Sequence, residues 1–282
     1  MISGFEKHQI FVKSISYRKF PRSVVLLTIS ELEAPIIMTT RAMLATEIIS
    51  KAESYVGIQA GIVRLEDVLK GPSYQAQATP EGPGSMTAMD DAQIIDWPPE
   101  AQTVLILGLH HPENVPRLDY WEKGDTWGNR RFREISELLK LWLREEYDIA
   151  SHPLPYHVEK GGLFLKDAAV LSGIGIIGRN NLLLHPDWGP RIRLRSMLLG
   201  ADLKTTEPLQ GFSPCENCEG FCQKTCPMKA FPQEKYIRPT CRKQIKYNVE
   251  NKVPEGEIGA NGKRNLVIKF CRVCELSCPV GA

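Results

Sequence analysis

The chain has 282 residues, with 35 Lys and Arg against 33 Asp and Glu, for a net charge of +2. That length allows one or two domains with a real hydrophobic core, and the balance of charge excludes a whole-chain electrostatic footprint for nucleic acid. The longest apolar runs, such as Val24-Val25-Leu26-Leu27, are too short to span a bilayer, and with no secretory leader a reducing, cytoplasmic setting is expected.

Residues 1–37 read as an N-terminal extension with short strands over 10–15 and 23–29, followed by Pro35. A helix is expected from Thr40, because Met43, Leu44, Ile48, Ala52 and Tyr55 recur at helical spacing and Gly57 can stop it. IQAGIVRLEDVL (58–69) reads as a strand turning into a helix, and the Gly-, Pro- and Ser-rich stretch 71–84 as a long loop. TVLILGL (103–109) is a continuous apolar run of strand length, expected at the centre of a sheet and buried on both faces; it ends in His110-His111. An amphipathic helix is expected over 130–147, with Phe132, Ile135, Leu139, Trp142 and Leu143 on one face. The pattern breaks at Pro153–Tyr156, and Ala168–Leu171 reads as helix. Strands alternating with helices argue for an α/β sheet domain over 38–205, leaving 206–282 loop-rich.

All eight cysteines lie in that last segment, as C-x2-C-x3-C-x3-C-P from Cys215 through Cys218 and Cys222 to Cys226, then Cys241, then C-x2-C-x3-C-P over Cys271, Cys274 and Cys278. A disulfide framework suits short secreted domains rather than this chain. Two four-thiolate zinc sites are the serious alternative, but zinc ribbons space their C-x2-C pairs more evenly. Eight thiolates are also the number for two 4Fe–4S clusters. In the two-cluster ferredoxin pattern the cysteine before proline serves the other cluster. Applied in both directions, the pattern gives one cluster Cys215, Cys218, Cys222 and Cys278, and the other Cys226, Cys241, Cys271 and Cys274. The first run is one residue longer than the bacterial spacing, an insertion Gly220 can absorb by adopting positive φ. Two 4Fe–4S clusters in a ferredoxin-like domain over 206–282 are therefore expected.

Gly173, Gly175 and Gly178 match G-x-G-x-x-G, yet a helix is expected before them and a strand (Leu182–Leu184) after, the reverse of a dinucleotide fingerprint. A tight turn that lets backbone approach a large ligand is the better reading. The segment 159–189, EKGGLFLKDAAVLSGIGIIGRNNLLLHPDWG, with the two Cys-Pro runs behind it, resembles the epoxyqueuosine reductase family, itself related to corrinoid-containing reductive dehalogenases. The likeness covers about 38–282 and is strongest over 155–282. It implies a nitroreductase-like α/β (α+β) domain holding cobalamin or another corrinoid. It also implies a ferredoxin-like domain with two clusters that delivers electrons to cobalt, with Gly173, Gly175, Gly178, Arg179, Asn180, Asn181 and His157 at the corrinoid. Counting fourteen residues back from Gly173 places Glu159 where the family has its proton-donating acid. Tyr156 and His157 are adjacent candidates for proton supply or substrate contact.

His110 and His111, at a strand end, can line a pocket or belong to the core. Arg191, Arg193 and Arg195 share one face of an expected strand, suited either to an anionic group or to solvent. Lys235, Arg238, Arg242, Lys243, Lys246, Lys252, Lys263 and Arg264 form a local basic patch that can dock an acidic electron donor such as ferredoxin or flavodoxin. Epoxyqueuosine reductases continue past the clusters into a helical-repeat region that helps hold tRNA, whereas this chain stops at Ala282. The expected activity is thus a corrinoid-dependent iron–sulfur reductase acting on a small molecule, with no membrane and with tRNA a doubtful partner. A non-catalytic electron carrier is the alternative, and epoxyqueuosine reduction on tRNA ranks third.

Overall fold

The computed structural model of the chain describes residues 29–77 and 97–282. By its internal contacts the chain divides into Met1–Ile37 and Met38–Ala282, so the sheet and the cysteine region fall in one unit. The strand expected over 10–15, residues 23–28 of the one expected over 23–29, and residues 78–84 of the expected loop lie outside the described residues. Ile29, expected to end a strand, instead begins helix α1 (Ile29–Glu53), eleven residues ahead of the expected start at Thr40. Glu31, Leu32, Glu33 and Ala34 are all strong helix formers.

A four-stranded sheet follows, built from β1 (Ile58–Arg64), β2 (Thr103–His110), β5 (Ser151–Pro153) and β8 (Ile192–Leu199) in the order β1-β2-β8-β5. Every pairing is antiparallel. The alternation of strands and helices thus gives an α+β arrangement rather than parallel βαβ units. Two-residue strands β3 (Trp121–Glu122) with β4 (Asp125–Thr126), and β6 (Ile176–Ile177) with β7 (Leu183–Leu184), make separate ribbons. The helices between are α2 (Leu65–Leu69), α3 (Pro72–Gln77), α4 (Trp127–Tyr147) and α5 (Leu165–Leu171). In the cysteine region lie α6 (Phe221–Lys224), α7 (Arg238–Glu250) and α8 (Val273–Leu276). Pro72–Gln77 was expected to be loop.

The run at 103–109 is the inner strand β2, buried along that whole length. Side chains alternate across a strand, so Leu105, Leu107 and Leu109 join α4 residues Phe132, Ile135, Leu139 and Leu143 on one face. Val104 and Ile106 meet Val68, Ala168 and Ala169 on the other. Each fully buried leucine contributes about 1.5–3 kcal/mol relative to exposure, which fixes the sheet as the rigid part. Helix α4 starts at Trp127, three residues before the expected start, because the Thr126 side chain accepts the Asn129 N–H at 3.0 Å as an N-cap. Both apolar clusters end by Leu203.

Candidate iron–sulfur and substrate site

The two cysteine runs are arranged alike. Cys222 sits in α6 and Cys274 in α8, each a single turn ending just before the Cys-Pro pair. Thr225 and Ser277 occupy matching places ahead of Cys226 and Cys278. Each hydroxyl lies within hydrogen-bond distance of the carbonyl four residues back, on Phe221 (2.8 Å) and Val273 (2.7 Å), and the two hydroxyl oxygens are 3.0 Å apart, so one of them can donate to the other in place of its carbonyl. Gly220, the N-cap of α6, takes φ 71°, the left-handed conformation that absorbs the extra residue of the first run.

All eight cysteines are free thiols. Cys215, Cys218, Cys222 and Cys278 line one cavity together with Arg179, Asn180 and Leu184. Burial raises the thiols of Cys222 and Cys278; Cys278, Cys215 and Cys218 raise Cys222 further, and Cys215 and Cys218 act on Cys278. Burial likewise raises Cys271, with Cys241 and Cys226 as its charged neighbours, and pushes Cys274 up to about 12, with Cys271, Cys241, Cys222 and Cys226 around it. Among the described residues no three His, Cys, Asp or Glu side chains gather so as to hold a single metal ion. Four thiols at one cavity are a donor set that a 4Fe–4S cluster takes, and four thiolates also suit zinc. Around the second group the Ala230 N–H donates to Cys226 Sγ at 3.4 Å, and Asn248 Oδ1 on α7 accepts the Cys271 N–H at 3.0 Å.

The glycine turn follows α5 and precedes β7, the reverse of a dinucleotide site. A Cβ on Gly173 (φ 73°) would overlap the Glu207 carbonyl, one on Gly175 the Leu184 carbonyl, and one on Gly178 the Leu184 side chain at 2.6 Å. The close approach expected to serve a corrinoid is made here by the chain itself. Arg179 Nη1 donates to the Cys218 carbonyl at 3.2 Å and Asn180 Nδ2 to the Cys274 carbonyl at 3.3 Å. Asn181 (φ 58°) accepts two hydrogen bonds from Lys166 Nζ, at 2.7 and 2.8 Å, and burial depresses the Lys166 ammonium. The turn therefore fastens the cysteine region to the sheet.

The arginines do not form a solvated or anion-gripping stripe. Arg191 donates to the carbonyls of Val280 (3.0 Å) and Cys278 (3.5 Å). Arg193 pairs with Asp119, its Nε at 2.9 Å. Arg195 donates to Asn129 Oδ1 (2.6 Å) and the Leu194 carbonyl (2.8 Å). His110 stacks on Trp188, ring centroids 4.9 Å apart, and His185 stacks on the same indole at 4.3 Å. His111 is buried and its Nδ1 lies 3.1 Å from both Asp119 and Arg272 Nη2. One ring nitrogen can donate to the carboxylate or accept from the guanidinium, not both.

Sequence reasoning missed the network around that histidine. Arg272, inside the second C-x2-C, reaches Asp119 through Nη1 (2.6 Å), the His111 carbonyl through Nη2 (3.0 Å) and Glu275 through Nε (2.9 Å). Burial opposes ionisation of Asp119, but the hydrogen bond from His111 and the guanidiniums of Arg193 and Arg272 hold its carboxyl below the usual range. The available signal was an Arg and a Glu three apart within a cysteine run, where charge has no role in ligation.

Tyr156 and His157 lie on the exposed loop between β5 and a 3-10 turn, Val158–Lys160, which contains Glu159. The basic patch is largely on the exposed side of α7 and the loop after it, where Arg238, Arg242, Lys243, Lys246, Lys252, Lys263 and Arg264 are all exposed. Among the described residues no helix is long and apolar enough to cross a membrane.

No family model matches the chain. The curated epoxyqueuosine reductase of Lactococcus garvieae (strain Lg2) is 24% identical over 192 residues, which cover 64% of this chain and 52% of that protein. The one from Synechocystis sp. is 25% identical over 193 residues, 64% and 63% respectively. The chain thus spans about half to two thirds of the curated relatives it matches. A solved epoxyqueuosine reductase from Streptococcus thermophilus aligns over 88% of this chain and 66% of its own, with TM-score 0.54 and 15% identity. Another, crystallised with an epoxyqueuosine-modified tRNA-Tyr stem loop, aligns over 85% and 65%, with TM-score 0.55 and 17% identity. The fold is theirs. The expectation of a small-molecule substrate, with tRNA doubtful, is corrected by the relatives' name and by that stem-loop complex. Net charge averages over the whole surface, and an average of +2 says nothing about any one face.

Proposed function

Because the chain is epoxyqueuosine reductase-like, we propose that it is an oxidoreductase that passes electrons through two 4Fe–4S clusters to a modified nucleoside carried on tRNA. The observation that carries this reading is the cavity in which Cys278, from the second run, joins Cys215, Cys218 and Cys222 from the first. Those four would hold one cluster, and Cys226, Cys241, Cys271 and Cys274 the other. When bound, the clusters supply one-electron carriers whose potentials depend on charge, hydrogen bonds to sulfur and exposure.

The chain's own residues prepare that transfer. Arg179, Asn180 and Arg191 hold carbonyls of the cysteine loops beside the glycine turn and the end of β8, and Arg179 and Asn180 also line the cavity of the first group. Ala230 places a donor on Cys226 Sγ, stabilising negative charge there. Glu159 is the proposed proton donor, a role that requires its carboxyl to stay protonated near working pH. The resemblance also implies a corrinoid, which supplies a reducible cobalt centre. The turn residues that the resemblance places at it also make hydrogen bonds within the protein, Arg179 and Asn180 to cysteine carbonyls and Asn181 with Lys166.

Anaerobic reconstitution with iron, sulfide and cobalamin, followed by reaction with an epoxyqueuosine-bearing tRNA stem loop and dithionite-reduced methyl viologen as the electron source, tests the reading. Iron and sulfide for two clusters and conversion of the nucleoside are expected; zinc in place of iron, or iron without conversion, refutes it. Glu159→Gln is expected to abolish conversion while cluster content and RNA binding persist, and unimpaired conversion would remove the acid assignment.

A further inference from the structure

Tyr156 stands out among the residues near Glu159 because its surroundings are built and its ring is not covered. The residue is 58% exposed. The Arg195 guanidinium lies 4.8 Å from the ring centroid, and the His157 imidazole meets the ring edge-on at 5.3 Å. Arg195 cannot wander. It is hydrogen-bonded to Asn129 Oδ1 and the Leu194 carbonyl and lies 5.5 Å over the Phe132 ring, and Asn129 is itself held by Asp125 at 2.8 Å.

The backbone carrying the ring is equally fixed. The Leu154 N–H donates to the Ser196 carbonyl at 2.9 Å, and the Lys160 and Gly162 N–H groups both donate to the His157 carbonyl at 3.0 Å. The loop packs so closely on Gly162 that a Cβ there would overlap the Pro155 carbonyl. A rigid ring backed by a cation, with its remaining surface open, is suited to stack on a flat heterocycle. Base–aromatic stacking is worth about 1–3 kcal/mol per base, and a guanidinium adds a cation–π contribution.

Resting on the tRNA-linked reading above, we infer that Tyr156, braced by Arg195, is a stacking platform for a nucleobase of the substrate loop, three residues along the chain from Glu159. The ring face makes the contact and the phenolic hydroxyl does not. Fluorescence anisotropy with a labelled, epoxyqueuosine-bearing anticodon stem-loop RNA tests this, on variants first shown to hold wild-type iron. Tyr156→Ala is expected to weaken binding by about five- to 150-fold, the equivalent of one lost stack, and Tyr156→Phe to bind as the wild type does. Equal affinity of Tyr156→Ala and wild type would overturn the platform and leave the tRNA reading standing. A loss in Tyr156→Phe as large as in Tyr156→Ala would overturn it too, by assigning the contact to the hydroxyl. A wild-type protein that binds no stem loop at all would sink both.

Discussion

Replacing Arg272 by methionine tests whether the cysteine region is held to the sheet by charge. Methionine keeps much of the stem's packing but removes the contacts to Asp119, Glu275 and the His111 carbonyl. The Arg272 side chain is 15% exposed and both carboxylates 11%, so water replaces little of what is lost. Removing one partner of a buried ion pair costs about 3–5 kcal/mol. Asp119 keeps Arg193 and His111, whereas Glu275 is left with His111 at 3.8 Å. The lower end, about 3 kcal/mol, is therefore expected. With a urea slope of about 3 kcal/mol per molar, that lowers the unfolding midpoint by about 1 M. Anaerobic urea unfolding followed by circular dichroism measures the shift. Arg144→Met, which removes an exposed i,i+4 pair with Asp148, is the control, since such pairs are worth under about 1 kcal/mol. Asp119→Asn in a double-mutant cycle with Arg272→Met should show non-additivity of about 1–3 kcal/mol. If Arg272→Met moves the midpoint no more than the control, the network does not fasten the region.

Asp119 also sets an acid limit. Its folded carboxyl lies below the usual range, so the stability it contributes is present above the unfolded pKa of about 3.9 and is lost as pH falls through the lower folded value. Unfolding midpoints measured downward from pH 5 should drop in the wild type below about pH 4, and Asp119→Asn should lack that part of the decline. Gly220→Val, forced to φ 71°, is expected to lower iron content, because the left-handed region costs a non-glycine residue about 1–2 kcal/mol and the strain falls between Cys218 and Cys222; iron analysis with EPR checks it. Stripping iron should expose amides of 206–282 to hydrogen exchange while β2 and β8 stay protected, since neither apolar cluster extends beyond Leu203 and metal-dependent folds lose order with their metal.

The features readable in the sequence were those that local chemistry encodes. The cysteine spacing, the apolar run of β2 and the stripe on α4 each carry their meaning within a few residues. The antiparallel order β1-β2-β8-β5 does not, because β8 enters between β2 and β5 from more than eighty residues beyond β2. Arg191, Arg193 and Arg195 were read as one stripe, but their partners, at Cys278, Asp119 and Asn129, are distant in sequence. The glycine turn shows a different limit: its spacing signals that backbone passes close to something but not what, and here Gly175 and Gly178 approach Leu184 in the strand just beyond while Gly173 approaches the Glu207 carbonyl. His111, Asp119, Arg272 and Glu275 come together only when the second cysteine run folds back onto the end of β2.

The matched single-turn helices α6 and α8, joined through Thr225 and Ser277, bear on how such a protein is made. A nascent chain that has delivered only the first run holds three cysteines of one group and one of the other. Neither group is complete until Cys271, Cys274 and Cys278 arrive and the second turn docks on the first. On the ligand sets proposed above, metal loading has to follow synthesis of the whole module rather than proceed in succession along the growing chain.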